Sequence, residues 1–121
     1  MTTNDEVSAW VDAYQKAWIS NDADDIAALF TDDGVYEFRP NDPDPWVGRD
    51  AIVRGWIEDQ DSPETWTLET QVLGVLADGT AIVQAVVQYL DDRPIWDDLW
   101  LIRLEGGRAS RFTEWAVRRK E

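Results

Sequence analysis

The order of hydrophobic periods along this chain predicts an α+β fold in which three helices pack on one face of a curved antiparallel sheet. Two helical patterns open the chain, a third follows a proline-rich loop, and from Glu64 onward the apolar period changes to two, with turn residues between the segments. At 121 residues there is enough chain for one hydrophobic core and too little for two, so 1–121 is read as a single domain.

The first helix is predicted over 5–20, where Val7, Trp10, Val11, Tyr14, Trp18 and Ile19 recur at i, i+3, i+4, i+7 spacing and Asn4 or Asp5 can cap the start. In SNDADDIAALF, Asn21 or Asp22 can cap a second, short helix whose Ile26, Leu29 and Phe30 turn inward. TDDG then makes a turn and VYEFR a strand, which sets Tyr36 and Phe38 against one face and Glu37 and Arg39 against the other. The three prolines of PNDPDPWVG give a surface loop, and its aspartates lack the glycine and distal glutamate spacing of an EF-hand. Trp46 in that loop is either a lid over a pocket mouth or a packing anchor. GRDAIVRGWIEDQ supplies the third helix, with Ile52, Val53, Trp56 and Ile57 inside. Four long strands follow, ETWTLETQVLGVLA, GTAIVQAVVQYLD, RPIWDDLWLIRLE and GRASRFTEWAVRR, separated by DG, DDRP and EGG, as in an antiparallel meander.

Composition excludes several chemistries. With no cysteine and no histidine, there is no thiolate nucleophile, no disulfide, no zinc-thiolate site and no imidazole base. A formal charge of −14 disfavours nucleic acid and anionic lipid as partners, because both are bound through basic patches. No apolar run approaches the roughly 18 residues of a membrane span, and MTTNDEV has neither the basic nor the apolar region of a secretory signal, so a cytoplasmic address is expected. No cofactor is implied. Eight tryptophans in so short a chain point to an aromatic-lined cavity or to an aromatic core and interface.

The strand RPIWDDLWLIRL places acid among large apolar residues. Alternation puts Trp96, Asp98, Trp100, Ile102 and Leu104 on one face and Ile95, Asp97, Leu99, Leu101 and Arg103 on the other. Both faces are mostly apolar, which fits a sheet lining a pocket on its concave side and meeting a partner on its convex side. On the pocket side, desolvation would raise the pKa of Asp98 and suit it to donate or shuttle a proton. The alternative is that both aspartates lie beside the DDRP turn in water. Glu114 shares a face with Phe112 and Ala116, and as a buried acid it needs a donor; Arg39, Arg49 and Arg103 are candidates for a structural ion pair.

Three segments, AYQKAWISNDADDIAALFTDDGVYEFRP, PWVGRDAIVRGW and LIRLEGGRASRFTEW, resemble the SnoaL-like polyketide cyclase family of the nuclear transport factor two-like superfamily, which also contains ketosteroid isomerase. They cover nearly the whole chain. The resemblance implies a cone-shaped half-barrel, or cystatin-like roll, whose curved sheet wraps the three N-terminal helices around a pocket, and a homodimer formed through the sheet. It implies that Tyr14 occupies the oxyanion-binding position of the isomerase, that Asp98 occupies the protonated-acid position once one residue is gapped, and that Phe38 replaces the base. Glu37 neighbours that position but points to the other face. The Asp-Arg-Asp set of limonene epoxide hydrolase could be imitated by Asp98, Glu114 and Arg103 or Arg39. Scytalone dehydratase uses histidines, which are absent here.

Two functions follow. One is a cofactor-free enzyme for isomerisation, cyclisation, dehydration or hydrolysis of a small hydrophobic or aromatic molecule, with Tyr14 and Asp98 catalytic and Trp10, Trp18, Tyr36, Phe38, Trp46, Trp56, Trp96, Trp100, Ile102, Phe112 and Glu114 lining the pocket. The other is a module that binds a hydrophobic ligand or dimerises without turnover.

Overall fold

The computed structural model describes Thr2–Lys120. Helix α1 spans Asn4–Ser20, α2 Ala23–Ala27 and α3 Arg49–Glu58; the strands are β1 (Phe30–Glu37), β2 (Trp46–Val47), β3 (Trp66–Val75), β4 (Thr80–Tyr89), β5 (Trp96–Glu105) and β6 (Arg108–Arg118). The α1 cap is Thr3, one residue ahead of the expected Asn4 or Asp5, and its side chain accepts from the Glu6 N–H. Asp22 caps α2 as expected, accepting from Asp24 and Asp25. Among the described residues no helix is long and apolar enough to cross a membrane.

One six-stranded sheet runs in the order β2-β1-β6-β5-β4-β3. Strands β3 to β6 form the expected antiparallel meander, whereas β1 joins β6 in parallel, so the sheet is mixed. A parallel neighbour needs a long crossover, and α3 with the first three meander strands supplies it. Register shifts at Val72/Gly74 and Arg103/Leu104 mark bulges, which bend strands and help the sheet curl around α1. The end of the proline-rich loop is not wholly irregular: Trp46 and Val47 pair with Tyr36 and Val35 as the short strand β2.

The core lies between α1 and the concave face. Val7, Trp10, Val11 and Tyr14 pack against Phe30, Val83, Trp100, Ile102 and Phe112, and the small Ala81 and Ala85 of β4 leave room for the rings of α1. Trp10 satisfies its indole N–H on the Leu29 carbonyl at 2.9 Å. Tyr14 is the hub, its ring 4.8 Å from that of Trp100, 5.1 Å from Trp56 and 5.3 Å from Phe112. Trp18 stacks flat on Trp66 at 3.8 Å. The α3 helix is tied in through Asn21, which accepts from the Trp56 indole at 3.1 Å and donates to the Asp61 carbonyl at 3.0 Å. Gly55 of α3 is required by a close approach, because a Cβ there would meet the Trp46 indole at 2.5–2.8 Å. Trp46 is therefore an anchored wall, held against α3 and against Tyr36 and Phe38.

Candidate functional site

Between α1, α3 and the wide end of the sheet lies a cavity of about 340 Å³. Tyr14 and Trp18 of α1, Trp56 of α3 and Trp46 of β2 form its walls. Tyr36 and Phe38 close the β1 side, and Trp96, Asp98, Glu114 and Ala116 pave the floor. The segment after α3, with Asp59, Gln60 and Asp61, and the β4 residues Val87 and Tyr89 complete it.

Parity assigned the concave face correctly, but four residues expected in the lining sit beneath it. Trp10, Trp100, Ile102 and Phe112 are at most 3% exposed and belong to the core. They lie where α1 rests directly on the sheet, and only the part of each strand that α1 leaves uncovered faces the cavity. The converse omission is Asp59, Gln60, Asp61, Val87, Tyr89 and Ala116. Tyr89, Val87 and Ala116 were readable from strand alternation, since Val87 pairs with Trp96 and Ala116 with Asp98. The placement of the loop acids is tertiary and has no local signal.

Asp98 is 4% exposed, which excludes the wet alternative. Its Oδ2 accepts from the Trp100 indole at 3.1 Å, while Oδ1 has no hydrogen-bond partner among the described residues. Asp97 points to the other face and is held by Arg119 through contacts of 2.7 and 2.9 Å. The same alternation buries Glu37 away from the cavity, where it accepts from Arg111 at 2.9 Å and Thr113 at 2.7 Å.

Glu114 overturns the expectation of an ion pair. Arg39 donates to the carbonyls of Pro40 and Asn41, Arg49 pairs with Asp32, and Arg103 pairs with Asp78. Glu114 instead accepts a close hydrogen bond from the Tyr36 hydroxyl, which lies 3.2 Å from that of Tyr14. A chain of three groups thus runs Tyr14, Tyr36, Glu114. Among the described residues no arginine or lysine lines the cavity, so the Asp-Arg-Asp arrangement is not assembled. Nor does any cluster of three acids have the geometry to hold a metal among them.

Burial without a cation shifts these groups. Desolvation pushes Asp98 up to about 6, opposed by the Trp100 hydrogen bond and reinforced by the charge of Asp97. Desolvation also pushes Glu114 up to about 7, opposed by the Tyr36 hydrogen bond and reinforced by Asp98 and Asp61. Glu114 keeps partial exposure only because it opens on the cavity. The phenols of Tyr14 and Tyr36 are held well above their ordinary range, first by burial and then by the charge of Glu114, so both stay protonated. At the rim, Arg93 lies 3.8 Å over the Tyr89 ring and reaches Asp61, which also accepts from the Tyr89 hydroxyl at 3.1 Å. Burial and Asp61 push Tyr89 up to about 12.

The model of the SnoaL-like domain matches residues 9–117. This chain belongs to the SnoaL-like domain family. Solved structures of similar fold include a ketosteroid isomerase-type protein of Kribbella flavida, at TM-score 0.72 and 20% identity over 98% of this chain and 84% of that one. An NTF-2-like protein of unknown function from Burkholderia xenovorans aligns at TM-score 0.75 and 13% identity over 98% and 88%. An LEH-like epoxide hydrolase of M. tuberculosis aligns at 0.63 and 18% over 93% and 83%. These likenesses establish the α+β cone of the SnoaL-like domain. No curated protein matches the sequence.

The raised carboxyls have a sign-defined effect on stability. The folded chain binds a proton at Asp98 more tightly than the unfolded chain does, so this contribution is full below about pH 4 and is lost as pH rises through about 6. Asp98→Asn keeps the acceptor for Trp100 and removes the cost of burying charge. The variant is expected to be more stable than wild type at pH 8 by up to about 3 kcal/mol and to match it near pH 4. Thermal unfolding of both proteins across that range checks it; equal gaps at the two pH values would place Asp98 among ordinary exposed acids.

Proposed function

We propose that this SnoaL-like domain is a cofactor-free acid–base enzyme acting on a small hydrophobic or aromatic substrate, of the isomerase, cyclase, dehydratase or hydrolase type. What supports this most is the pairing, across one aromatic cavity, of a buried carboxyl whose Oδ1 is unpartnered with a second carboxyl wired to two phenols. Asp98 and Glu114 lie diagonally on adjacent strands, since Trp100 pairs with Glu114 and Asp98 with Ala116. Diagonal neighbours are about 7–8 Å apart, a separation that can bracket a small substrate.

The chemistry follows from which group holds a proton. Burial raises Asp98 to about 6 and Glu114 to about 7, so the pair exchanges protons near neutrality, and in the form with Asp98 ionised its carboxylate is the base that the isomerase-like position at Phe38 lacks. With Glu114 ionised, Tyr36 donates to it and Tyr14 donates to Tyr36, leaving no phenolic proton for substrate. Once Glu114 is protonated the hydrogen bonds can reverse, Glu114 to Tyr36 to Tyr14, and Tyr14 then presents its O–H to the cavity. Asp98 would take a proton from a carbon beside a carbonyl, while Tyr14 donates to the carbonyl oxygen and is replenished from Glu114. The resulting enol takes a proton at carbon from Asp98 and returns its hydroxyl proton through Tyr14 and Tyr36 to Glu114, so no net proton is consumed. Aromatic walls exclude water and strengthen each of these contacts.

Activity then requires Asp98 ionised and Glu114 protonated, which gives a narrow bell with limbs near pH 6 and 7. Deuterium uptake from solvent into a cyclic aryl ketone such as 2-tetralone, followed by mass spectrometry, tests this without knowledge of the natural substrate. Wild type should accelerate uptake with that profile, and Asp98→Asn should lose on the order of 100-fold or more. Equal rates for the two proteins with the ketone bound would favour the second reading, a binding module without turnover, to which the apolar Phe38 already lends support.

The convex face carries Ile82, Val86, Leu99 and Leu101 together with Trp115 and Val117, which are 44% and 58% exposed. We propose that a second copy of the chain covers it, because an isologous contact matches one apolar patch with itself. Sedimentation equilibrium should give twice the 13.9 kDa chain mass and Val117→Lys should shift it toward one; a wild-type monomer at tens of micromolar would refute the dimer.

A further inference from the structure

The cavity is charged with one sign only. Four carboxyls face it, Asp59, Asp61, Asp98 and Glu114, and among the described residues no basic side chain does. Asp61 is already answered from outside by Arg93 and Tyr89, and Glu114 by Tyr36. Asp98 is not answered: it lines the cavity, and its Oδ1 is enclosed and without a hydrogen-bond partner among the described residues. A buried acceptor left without a donor is costly, and a ligand that supplies positive charge beside it relieves the cost. The remaining lining is rich in aromatic side chains, Trp18, Trp56 and Trp96 among them, and indole attracts cations most strongly of the aromatic rings. An anionic ligand would meet the opposite conditions inside the cavity and in the field of a chain of charge −14.

We infer that the ligand of this pocket is an organic cation, an amine or quaternary ammonium carried on a small apolar or aromatic body, with its positive end beside Asp98. This rests on the proposed reading of the cavity as the ligand site. The aromatic rings hold the body, and the inner carboxyls select the charge. Free carboxylates and phosphate esters are disfavoured as ligands because no basic side chain among the lining residues can neutralise them. The enolisable ketones suited to the proposed chemistry would then be amino ketones, whose ammonium group anchors them next to the base.

Phenyltrimethylammonium and tert-butylbenzene share shape and differ in charge, and with benzenesulfonate they form a suitable set for titration by tryptophan fluorescence at pH 8. The cation should bind at least tenfold more tightly than the neutral isostere, and benzenesulfonate more weakly than either. Preference for the cation should fall below threefold in Asp98→Asn and persist in wild type at 0.5 M salt, where attraction to surface acids is screened. Equal or tighter binding of tert-butylbenzene would overturn the cation inference and leave the apolar pocket standing. Cation binding that vanishes at high salt would also overturn it, as a surface effect. Absence of binding by all three would remove the pocket reading together with this one.

Discussion

The burial of Glu114 against a phenol, with no cation to answer it, is the constraint on which the rest of the site depends. An arginine at that place would hold the carboxyl ionised and close the cavity with a structural ion pair. A phenol leaves the acid neutralisable, and a second phenol behind the first extends its reach to Tyr14. The arrangement works only where water is scarce, because hydration would return Glu114 to its ordinary range. Aromatic density follows from that requirement, since rings exclude water over large areas and tolerate edge and face contacts with one another.

The scaffold meets the requirement by stacking layers. Trp10, Trp100 and Phe112 form a solid layer beneath the cavity, and Tyr14 packs on it while lining the cavity. Trp18 is steadied by stacking on Trp66, and Trp46 by lying over Gly55. Asp98 is fixed by the indole of Trp100, two residues further along the same strand face. One tryptophan thus serves as both floor and donor. Positions are set by strand and helix rather than by loops, so Tyr14, Asp98 and Glu114 have little freedom to drift.

Much of this was readable in the amino-acid order. The stripe Trp10, Tyr14, Trp18 marks α1, alternation in WDDLWLIRL separates Asp98 from Asp97, and alternation in VYEFR separates Glu37 from Tyr36. Those features are local, with fixed periods. The partner of Glu114 was not readable, because a phenol 78 residues earlier in the chain competes with three arginines on equal terms until the parallel pairing of β1 with β6 sets Tyr36 beside Phe112. Pocket depth was not readable either. Strand parity names a face, but where α1 stops covering that face is decided by packing, and so Trp100 and Ile102 fell to the core while Tyr89 and Ala116 came to the cavity. Trp46 belongs to the same class: its anchoring needs Gly55 on a different element.

The proposed chemistry, the inferred selectivity and the pH dependence of stability all draw on the same two carboxyls. A protein that keeps acids in an apolar cavity gives up stability at neutral pH, and such acids titrate nearer neutrality than exposed ones. Carbon-13 NMR of the side-chain carboxyls, with assignments from Asp98→Asn and Glu114→Gln, measures this directly. Two resonances titrating with apparent midpoints near 6 and near 7, each absent from the corresponding variant, are the expected result. Titration of both below pH 5, with the exposed aspartates, would contradict a site built on protonatable acids.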